Sequence, residues 1–294
     1  MTLRVGCRAD DADKHEFDVN SLLYHKGKLY SAGDDGRIKV WASDLTKLGE
    51  VQAHPCSVYS ITASDDSLYS CSNEGTVKSF DLTTLKEKEV LAQDDKNEFW
   101  KVCYSNGALY AGDNTGNIIV WKDNKTYGTL NVAEPVKDMA VSGNFLFSVK
   151  DTDLVITDVH LGGEKIQFGT KKTYVGRAPI ALIGKQLFAF ASREGKDIIV
   201  NENNDQSHFK PVSKVEGAHE MIINTLAGTT WNNKNVLFSG GWDKTVKKWN
   251  IDDDIIKQDG SCDVEIVINS IAIGDKGEVY VGGGDGHIVR IEIE

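Results

Sequence analysis

The chain has 294 residues, 40% of them hydrophobic, and a formal net charge of −11 from 33 Lys and Arg against 44 Asp and Glu. There is ample apolar material for a core. The acidic balance argues against nonspecific binding to nucleic acid or to an anionic membrane, because phosphate contacts need clustered Lys and Arg. It favours a soluble acidic surface or a basic protein partner.

Residues 28–41, KLYSAGDDGRIKVW, carry the pattern of a β-hairpin. An apolar run begins at Leu29, and Gly33–Gly36 forms a turn cluster, since glycine accepts a positive φ and aspartate bonds its own backbone. Ile38–Trp41 then alternates as a half-buried strand does. Segment 19–22 precedes the hairpin and the more polar segment 47–52 follows it, so the pattern predicts four antiparallel strands with one solvated edge.

Variants of this hairpin recur along the chain at a spacing of about forty residues. Clear copies are residues 28–41, 67–80, 108–121, 236–249 and 278–291, and two worn copies are 145–158 and 186–201. Each has an aromatic residue at its third position: Tyr30, Tyr69, Tyr110, Phe147, Phe188, Phe238 and Tyr280. One four-stranded sheet cannot bury both of its faces, whereas seven packed radially can. The repeat therefore predicts an all-β fold, a seven-bladed β-propeller.

The repeats resemble those of the WD-repeat family. Trp41, Trp121 and Trp249 close their repeats where that family has its tryptophan, and His15, His54 and His219 stand where it has its histidine. The resemblance implies hydrogen-bonded structural tetrads inside the blades, which here would be His15–Ser31–Asp35–Trp41 and His219–Ser239–Asp243–Trp249. The second repeat has a degraded version, His54–Ser70–Glu74–Phe80, and the third has Thr115 at the aspartate position. The fourth and fifth repeats keep almost none of it.

The two ends of the chain fit a closed ring. The seventh repeat ends after its third strand, and Leu3–Cys7 is expected to supply the missing outer strand. We therefore expect residues 1–294 to form a single domain. No apolar run is long enough to span a bilayer, and the N-terminus lacks the apolar core of a signal peptide. Five cysteines without C-x-x-C spacing are typical of reduced thiols, which predicts a cytoplasmic or nuclear location.

Motifs of catalysis are missing from the sequence: there is no H-E-x-x-H, G-x-S-x-G or G-x-x-x-x-G-K-[ST]. The glycine run 282–286 lacks the lysine of a phosphate loop and is expected to be a turn. The sequence thus predicts no enzymatic activity, no cofactor and no metal. One alternative is a metal-dependent hydrolase, because Asn20, Asn224 and Asn269 align near the channel mouth, with Glu98 and Asp18 close by.

The resemblance implies a binding face on one side of the propeller, the top face, made by the loops before each first strand and the turns between second and third strands. Tyr59, Trp100 and Trp242 are expected there, and exposed aromatic side chains are frequent in interfaces. Acidic and basic residues are expected on different blades, namely Asp18, Asp34 and Glu98 on blades one to three and Lys137 and Arg177 on blades four and five. This division suits a protein segment of mixed charge.

The sequence accordingly predicts a noncatalytic interaction scaffold, a subunit or adaptor of a multiprotein complex in which the propeller is monomeric. Its partner is expected to be a protein, with a Lys or Arg side chain held by Trp100, Tyr59 and Glu98. Binding to nucleic acid or membrane is not expected. The alternative within the same class is the substrate-recognition subunit of a ubiquitin ligase, although no F-box segment supports it.

Overall fold

The computed structural model describes residues 2–294, and within them all the strands belong to seven four-stranded antiparallel sheets. Each sheet is one blade, and the predicted seven-bladed propeller is confirmed. Blades 1 to 3 are built as follows: β2 (Val19–His25), β3 (Lys28–Gly33), β4 (Arg37–Trp41) and β5 (Lys47–Gln52); β6 (Val58–Ala63), β7 (Ser67–Ser72), β8 (Thr76–Asp81) and β9 (Glu87–Gln93); β10 (Phe99–Ser105), β11 (Ala108–Asp113), β12 (Asn117–Lys122) and β13 (Lys125–Asn131).

The remaining blades follow the same order, except that the seventh takes its outer strand from the start of the chain. Blades 4 to 6 are β14 (Asp138–Ser142), β15 (Phe145–Val149), β16 (Asp153–His160) and β17 (Gln167–Val175); β18 (Arg177–Ile183), β19 (Leu187–Ala191), β20 (Ile198–Glu202) and β21 (Pro211–Val215); β22 (Ile223–Trp231), β23 (Lys234–Gly241), β24 (Thr245–Asp252) and β25 (Ile255–Asp263). Blade 7 contains β26 (Ile268–Ile273), β27 (Val279–Gly283), β28 (Ile288–Ile293) and β1 (Leu3–Arg8).

Burial is greatest in the second strand of a blade and least in the outer strand. Every residue of β11 is buried, whereas most of β17 is exposed. A short 3-10 turn, Gly284–Gly286, is the helical element among residues 2–294, and no helix in this part of the chain is long and apolar enough to cross a membrane. All five cysteines are free.

The core lies between neighbouring blades. Trp41 and Leu29 of blade 1 pack with Tyr280 of blade 7, and the Phe147 and Phe188 rings of blades 4 and 5 lie 4.9 Å apart. Side chains from two sheets interdigitate at each such boundary, which is how a stack of small sheets buries both faces of each one. The first strand of every blade faces the central channel, and its start reaches the channel mouth on the top face.

The ring is closed by the N-terminal strand, as the sequence predicts. β1 pairs antiparallel with β28, with Leu3 opposite Ile293 and Cys7 opposite Arg290. Reciprocal backbone bonds of 3.0 Å between Thr2 and Glu294 extend this ladder beyond both strands. Leu3 is buried in the core of blade 7. Because the strand comes from the other end of the chain, blade 7 joins the first and the last described segments.

Candidate functional site

Two buried tetrads anchor the loops of the top face. In blade 1, His15 Nδ1 lies 2.9 Å from Asp35 Oδ1, and its Nε2 lies 2.7 Å from Ser31 Oγ, which also accepts a bond of 2.9 Å from Trp41 Nε1. The same set recurs in blade 6: His219 contacts Asp243 at 2.8 Å and Ser239 at 2.6 Å, and Trp249 Nε1 donates to Ser239 at 2.8 Å. Each tetrad ties the loop before the first strand to the turn after the second.

Blades 2 and 3 use modified networks. In blade 2, His54 bonds Glu74 and Ser70 at 2.7 Å each, and the Thr76 hydroxyl, which the sequence did not indicate, joins both His54 and Glu74. Phe80 fills the tryptophan position and is buried. In blade 3 the turn is held instead by Asp113, whose carboxylate accepts bonds from Thr115 and Asn117.

A register shift at the start of the first strand shapes the channel mouth. In six of the seven first strands described in residues 2–294, the pairing with the second strand skips one or two residues. The skipped residues are Asn20, Tyr59, Trp100, Ala178 with Pro179, Asn224 and Asn269. A bulge of this kind leaves a residue out of the ladder and redirects its side chain. In blade 4 the pairing is regular, and Lys137 precedes the strand.

Tyr59, Trp100, Glu98 and Asp34 form one group on blades 1 to 3, which we call the acidic–aromatic cluster. Trp100 Nε1 donates a bond of 2.8 Å to Glu98 Oε2, so the carboxylate fixes the indole. Burial, followed by the charges of the Glu98 and Asp34 carboxylates, raises the pKa of the Tyr59 hydroxyl, so both acids act on the phenol electrostatically. Asp34 also accepts a bond of 2.7 Å from Asn20. Tyr59 and Trp100 are only partly buried.

Lys137 reaches the cluster from blade 4. Its Nζ lies 5.9 Å from the centre of the Trp100 ring, within the range of a cation–π contact, and 2.5 Å from Asp151 Oδ1. The ring face predicted to hold a partner's cation is therefore covered by a cation of the chain itself. The sequence placed Lys137 on the top face but gave no sign of this contact, since the two residues belong to different blades.

The asparagines at the channel mouth bridge neighbouring blades. Asn20 Nδ2 donates to the Val58 carbonyl oxygen of blade 2, and Asn224 Nδ2 donates to the Ile268 carbonyl oxygen of blade 7, both at 3.2 Å. Asp18 accepts a bond of 3.1 Å from the Asp285 backbone N–H. No group of three or more His, Cys, Asp or Glu residues suited to holding a metal ion is found within residues 2–294.

Arg177 and Trp242 lie apart from the acidic–aromatic cluster, on blades 5 and 6. Trp242 is exposed, and its neighbours Met221 and Ile222, in the loop before β22, are exposed too. We call Met221, Ile222 and Trp242 the Trp242 patch. Sequence reasoning singled out Trp242 alone. The sequence did contain a signal for this patch. Residues 221–222 are two adjacent apolar residues that follow directly after His219 and Glu220 and lie outside the predicted strand.

A partly buried ion pair between the first strands of blades 3 and 4 is a further feature that the sequence did not indicate. Lys101 Nζ on β10 lies 2.8 Å from Asp138 Oδ1 on β14, and Asp138 Oδ2 accepts a bond of 2.9 Å from the Ile180 N–H on β18. Burial alone would lower the pKa of Lys101, but the Asp138 carboxylate raises it overall, so the lysine stays charged. Asp138 thus joins three consecutive blades.

Comparison with protein families agrees with this architecture. The model of the WD domain, G-beta repeat, matches residues 12–42, 45–81 and 209–250. These three segments contain the histidine networks of blades 1, 2 and 6. These three segments are WD repeats, and the seven-bladed fold that contains them is the fold of WD40 β-propellers. Propellers of this family are in general noncatalytic interaction domains that bind proteins.

Two curated plant proteins are similar to part of the chain. "Putative E3 ubiquitin-protein ligase LIN-1" of Lotus japonicus is 28% identical over 149 residues, and "Putative E3 ubiquitin-protein ligase LIN" of Medicago truncatula is 30% identical over 150 residues. Each match covers 47% of this chain and 10% of the relative. The chain therefore spans about a tenth of the length of the curated relatives it matches.

Solved structures share the fold over nearly the whole chain. The WD40 β-propeller domain of Doa1 has a TM-score of 0.79 at 17% identity and covers 99% of this chain and 97% of its own. The structure of U3-55K has a TM-score of 0.80 at 14% identity, with 99% and 98% covered. At these identities the likeness shows the fold alone.

Proposed function

We propose that this chain is a noncatalytic scaffold, a subunit or adaptor of a multiprotein complex, which binds a protein segment across its top face at the channel mouth. The acidic–aromatic cluster is the observation that carries the proposal. A Lys or Arg side chain of the partner would meet the carboxylates of Glu98 and Asp34 beside the rings of Tyr59 and Trp100. Such a site combines cation–π contact with charge-assisted hydrogen bonds.

The internal contact of Lys137 supports this proposal and refines it. The Trp100 ring already accepts a cation, and Glu98 holds the ring in place through the indole N–H. Lys137 also pairs with a carboxylate, Asp151, which would retain it once a partner's cation took its place on the ring. Lys137 therefore competes with the partner's cation for the Trp100 ring. Removing Lys137 and removing Trp100 are expected to have opposite effects on binding of the partner.

Titrating a dye-labelled peptide rich in Lys and Arg against the full chain tests the proposal. Trp100→Ala should weaken binding by roughly 2 kcal/mol, the size of an interface hot spot. It should leave the free energy of unfolding within about 1 kcal/mol of wild type, because the ring is only partly buried. Lys137→Ala should strengthen binding, because it frees the ring face. Fluorescence anisotropy and thermal melts give the two quantities.

Tyr127→Ala is the matched control. Tyr127 lies on the outer strand of blade 3, the blade that carries Trp100. Lys122 Nζ lies 4.7 Å from its ring centre, so a lysine–aromatic contact like that of Lys137 and Trp100 occurs here away from the channel. This variant should bind the peptide as wild type does. A large loss of stability in Trp100→Ala with peptide binding intact would show that the ring is a packing residue, and the proposal would fail.

A second candidate is that the propeller recognises substrates within a ubiquitin ligase. The similarity to the two plant proteins named as E3 ubiquitin-protein ligases favours it. The test is to purify the tagged chain from its native cells and supply ubiquitin with activating and conjugating enzymes. Conjugates should form with the native complex and not with the chain produced alone. A native complex that forms none, and contains no ligase subunit, would refute this candidate.

A further inference from the structure

The Trp242 patch is an exposed apolar surface on the top face of blades 5 and 6. Trp242 is 52% exposed, Met221 48% and Ile222 36%. The three lie together, because Met221 and Ile222 are adjacent in sequence and the Trp242 backbone N–H donates a bond of 3.0 Å to the Ile222 carbonyl oxygen. Contiguous apolar residues at a polar surface are typical of interaction sites.

Arg177 lies directly beside this patch. A methyl group at Gly195 would lie 3.4 Å from both Arg177 Cδ and Ile222 Cγ2, so the arginine stem and the isoleucine flank the same glycine. Arg177 Nε is buried and has no hydrogen-bond partner within residues 2–294, and no carboxylate in that range forms an ion pair with the guanidinium. A partly buried guanidinium lacking an anion is unfavourable, and an incoming carboxylate would correct this.

The surrounding loops carry additional positive charge. Arg193, Lys196 and Lys244 are exposed and form no ion pair with the described residues 2–294. The exposed carboxylates in these loops are Glu194, Glu216 and Glu220, and Glu216 is paired with Lys214 at 3.2 Å. With Arg177, the charged groups of this sector that lack an ion pair within residues 2–294 are four cations and two exposed carboxylates, on a chain whose net charge is −11. The groups left for a partner's charge are therefore mainly cations, unlike those of the acidic–aromatic cluster.

We propose that the Trp242 patch and Arg177 form a docking site for an acidic protein segment, which places a bulky apolar side chain on the patch and an Asp or Glu carboxylate on Arg177. The inference rests on the proposed function and deepens it, by naming the partner chemistry of the blade 5–6 sector. The cations are spread over several loops, so a segment with several side-chain carboxylates fits them better than a single C-terminal carboxylate. Tryptophan and arginine are also the residues that most often dominate binding energy.

Selection of random peptides displayed on phage against the full chain tests this inference. The enriched peptides should combine Asp and Glu with a large apolar residue. A synthetic peptide from that pool should lose about tenfold or more in affinity with Trp242→Ala and with Arg177→Gln. Arg177→Lys, which keeps the charge without the planar fork, should lose less. Affinity should also fall as salt concentration rises.

Two matched controls keep the result specific. Phe168→Ala removes an aromatic residue that is 49% exposed on β17, and Lys234→Gln removes a cation from the far end of blade 6. Both should bind the peptide as wild type does. Enrichment of neutral or basic peptides, or acidic peptides insensitive to Trp242→Ala and Arg177→Gln, would overturn the inference.

The failures of the two proposals are distinguishable with the same protein. If no acidic peptide binds but the basic peptide still requires Trp100, the blade 5–6 inference is wrong and the proposed function stands. If neither class of peptide binds, both are wrong. Thermal melts of every variant confirm that each comparison is made on folded protein.

Discussion

Within each tetrad the hydrogen bonds run in one direction. In blade 6 the Trp249 N–H donates to Ser239, the Ser239 hydroxyl donates to His219 Nε2, and His219 Nδ1–H donates to Asp243. This order requires a neutral imidazole. Burial lowers the pKa of His219, even though the charge of Asp243 acts in the opposite sense, so the ring is neutral near pH 7. Every buried polar atom of the set then has a partner.

Removing the last acceptor should be costly in an intact tetrad. The Asp243 side chain is 8% exposed, and Asp243→Ala would leave the His219 N–H buried without an acceptor, at a cost on the order of 1–3 kcal/mol. The Asp151 side chain is 64% exposed and pairs with Lys137 at the surface, so Asp151→Ala should cost no more than about 0.5–1 kcal/mol. Paired denaturant melts compare the two, and equal losses would contradict a structural role for the tetrad.

The same neutral histidines predict a pH dependence. Burial lowers the pKa of both His54 and His219 from 6.5, so below that pH the unfolded chain binds protons that the folded chain does not. Stability should therefore fall as pH drops from neutral through 6.5, by on the order of 1 kcal/mol per histidine per pH unit at most. Urea melts at several pH values across this range should show that the free energy of unfolding changes less with pH for His219→Gln than for wild type. An unchanged pH dependence would mean that His219 titrates alike in the folded and the unfolded chain, which would contradict a pKa lowered by burial.

A substitution at His160, about half exposed on blade 4, serves as the control for that experiment. It alters one histidine without touching a tetrad. It should change the pH dependence of the free energy of unfolding less than His219→Gln does. The comparison separates titration of a buried ring from a general effect of removing a histidine.

Among single residues, the sequence predicts those side-chain contacts that recur within each repeat. The residues of the tetrads at blades 1 and 6 stand at fixed offsets in their repeats, so their grouping could be read from spacing. The position of Lys137 over Trp100 could not, because it depends on the angle between two blades. Thr76 was missed for another reason: it joins a network in which glutamate replaces aspartate. Its hydroxyl bonds the Glu74 carboxylate, whereas the matching Thr245 of blade 6 bonds the Asp243 backbone carbonyl.

Among the strands, the inner ends of the blades depart from regular pairing. The shift recurs at three asparagines and two aromatic residues, so no single residue type marks it in the sequence; they are Asn20, Asn224, Asn269, Tyr59 and Trp100. Strand existence follows from alternation, which a one-residue bulge interrupts only locally. The repeat alignment thus placed these residues at equivalent positions without revealing why their side chains leave the ladder.

Blade 4 departs from this pattern, and Asp138 is expected to compensate for it. Asp138→Ala would remove the anion from Lys101, whose side chain is 32% exposed, and the acceptor of the Ile180 N–H. We expect a loss on the order of 2–3 kcal/mol in the free energy of unfolding. Asp138→Asn keeps an acceptor for Ile180 and should lose less. Denaturant melts of the two variants measure this order.

Asp65→Ala is the matched control for that comparison. Asp65 is almost fully exposed and pairs with Lys26 at 3.2 Å, so it is an ion pair without burial. Its loss should be within about 0.5 kcal/mol. If Asp138→Ala cost no more than Asp65→Ala, the bridge between blades 3, 4 and 5 would be structurally unimportant.

For the whole molecule, the period of the repeat was sufficient to predict the number of blades, and the orphan strand at the start predicted the closure. The arrangement of charge on the top face was only partly predictable. The alignment assigned acids to blades 1 to 3 and bases to blades 4 and 5, but Lys137 turns toward the acidic side, and the positive sector extends onto blade 6. The single-domain boundary and a cytoplasmic or nuclear location stay predictions.

Closure by β1 should control the stability of the entire ring. Deleting residues 2–8 would remove the strand paired with β28. It would expose the apolar residues of blade 7 that Leu3 covers and leave β28 as a free edge. Burial of Leu3 alone is worth about 1.5–3 kcal/mol, and the lost ladder adds to this. We expect insoluble protein or a melting temperature lower by roughly 10 °C or more. A synthetic peptide of residues 2–10, added in excess, should restore part of the loss by refilling the edge. An unchanged melting temperature in the truncated chain would show that blade 7 is stable with three strands, and that the ring does not depend on its N-terminal strand.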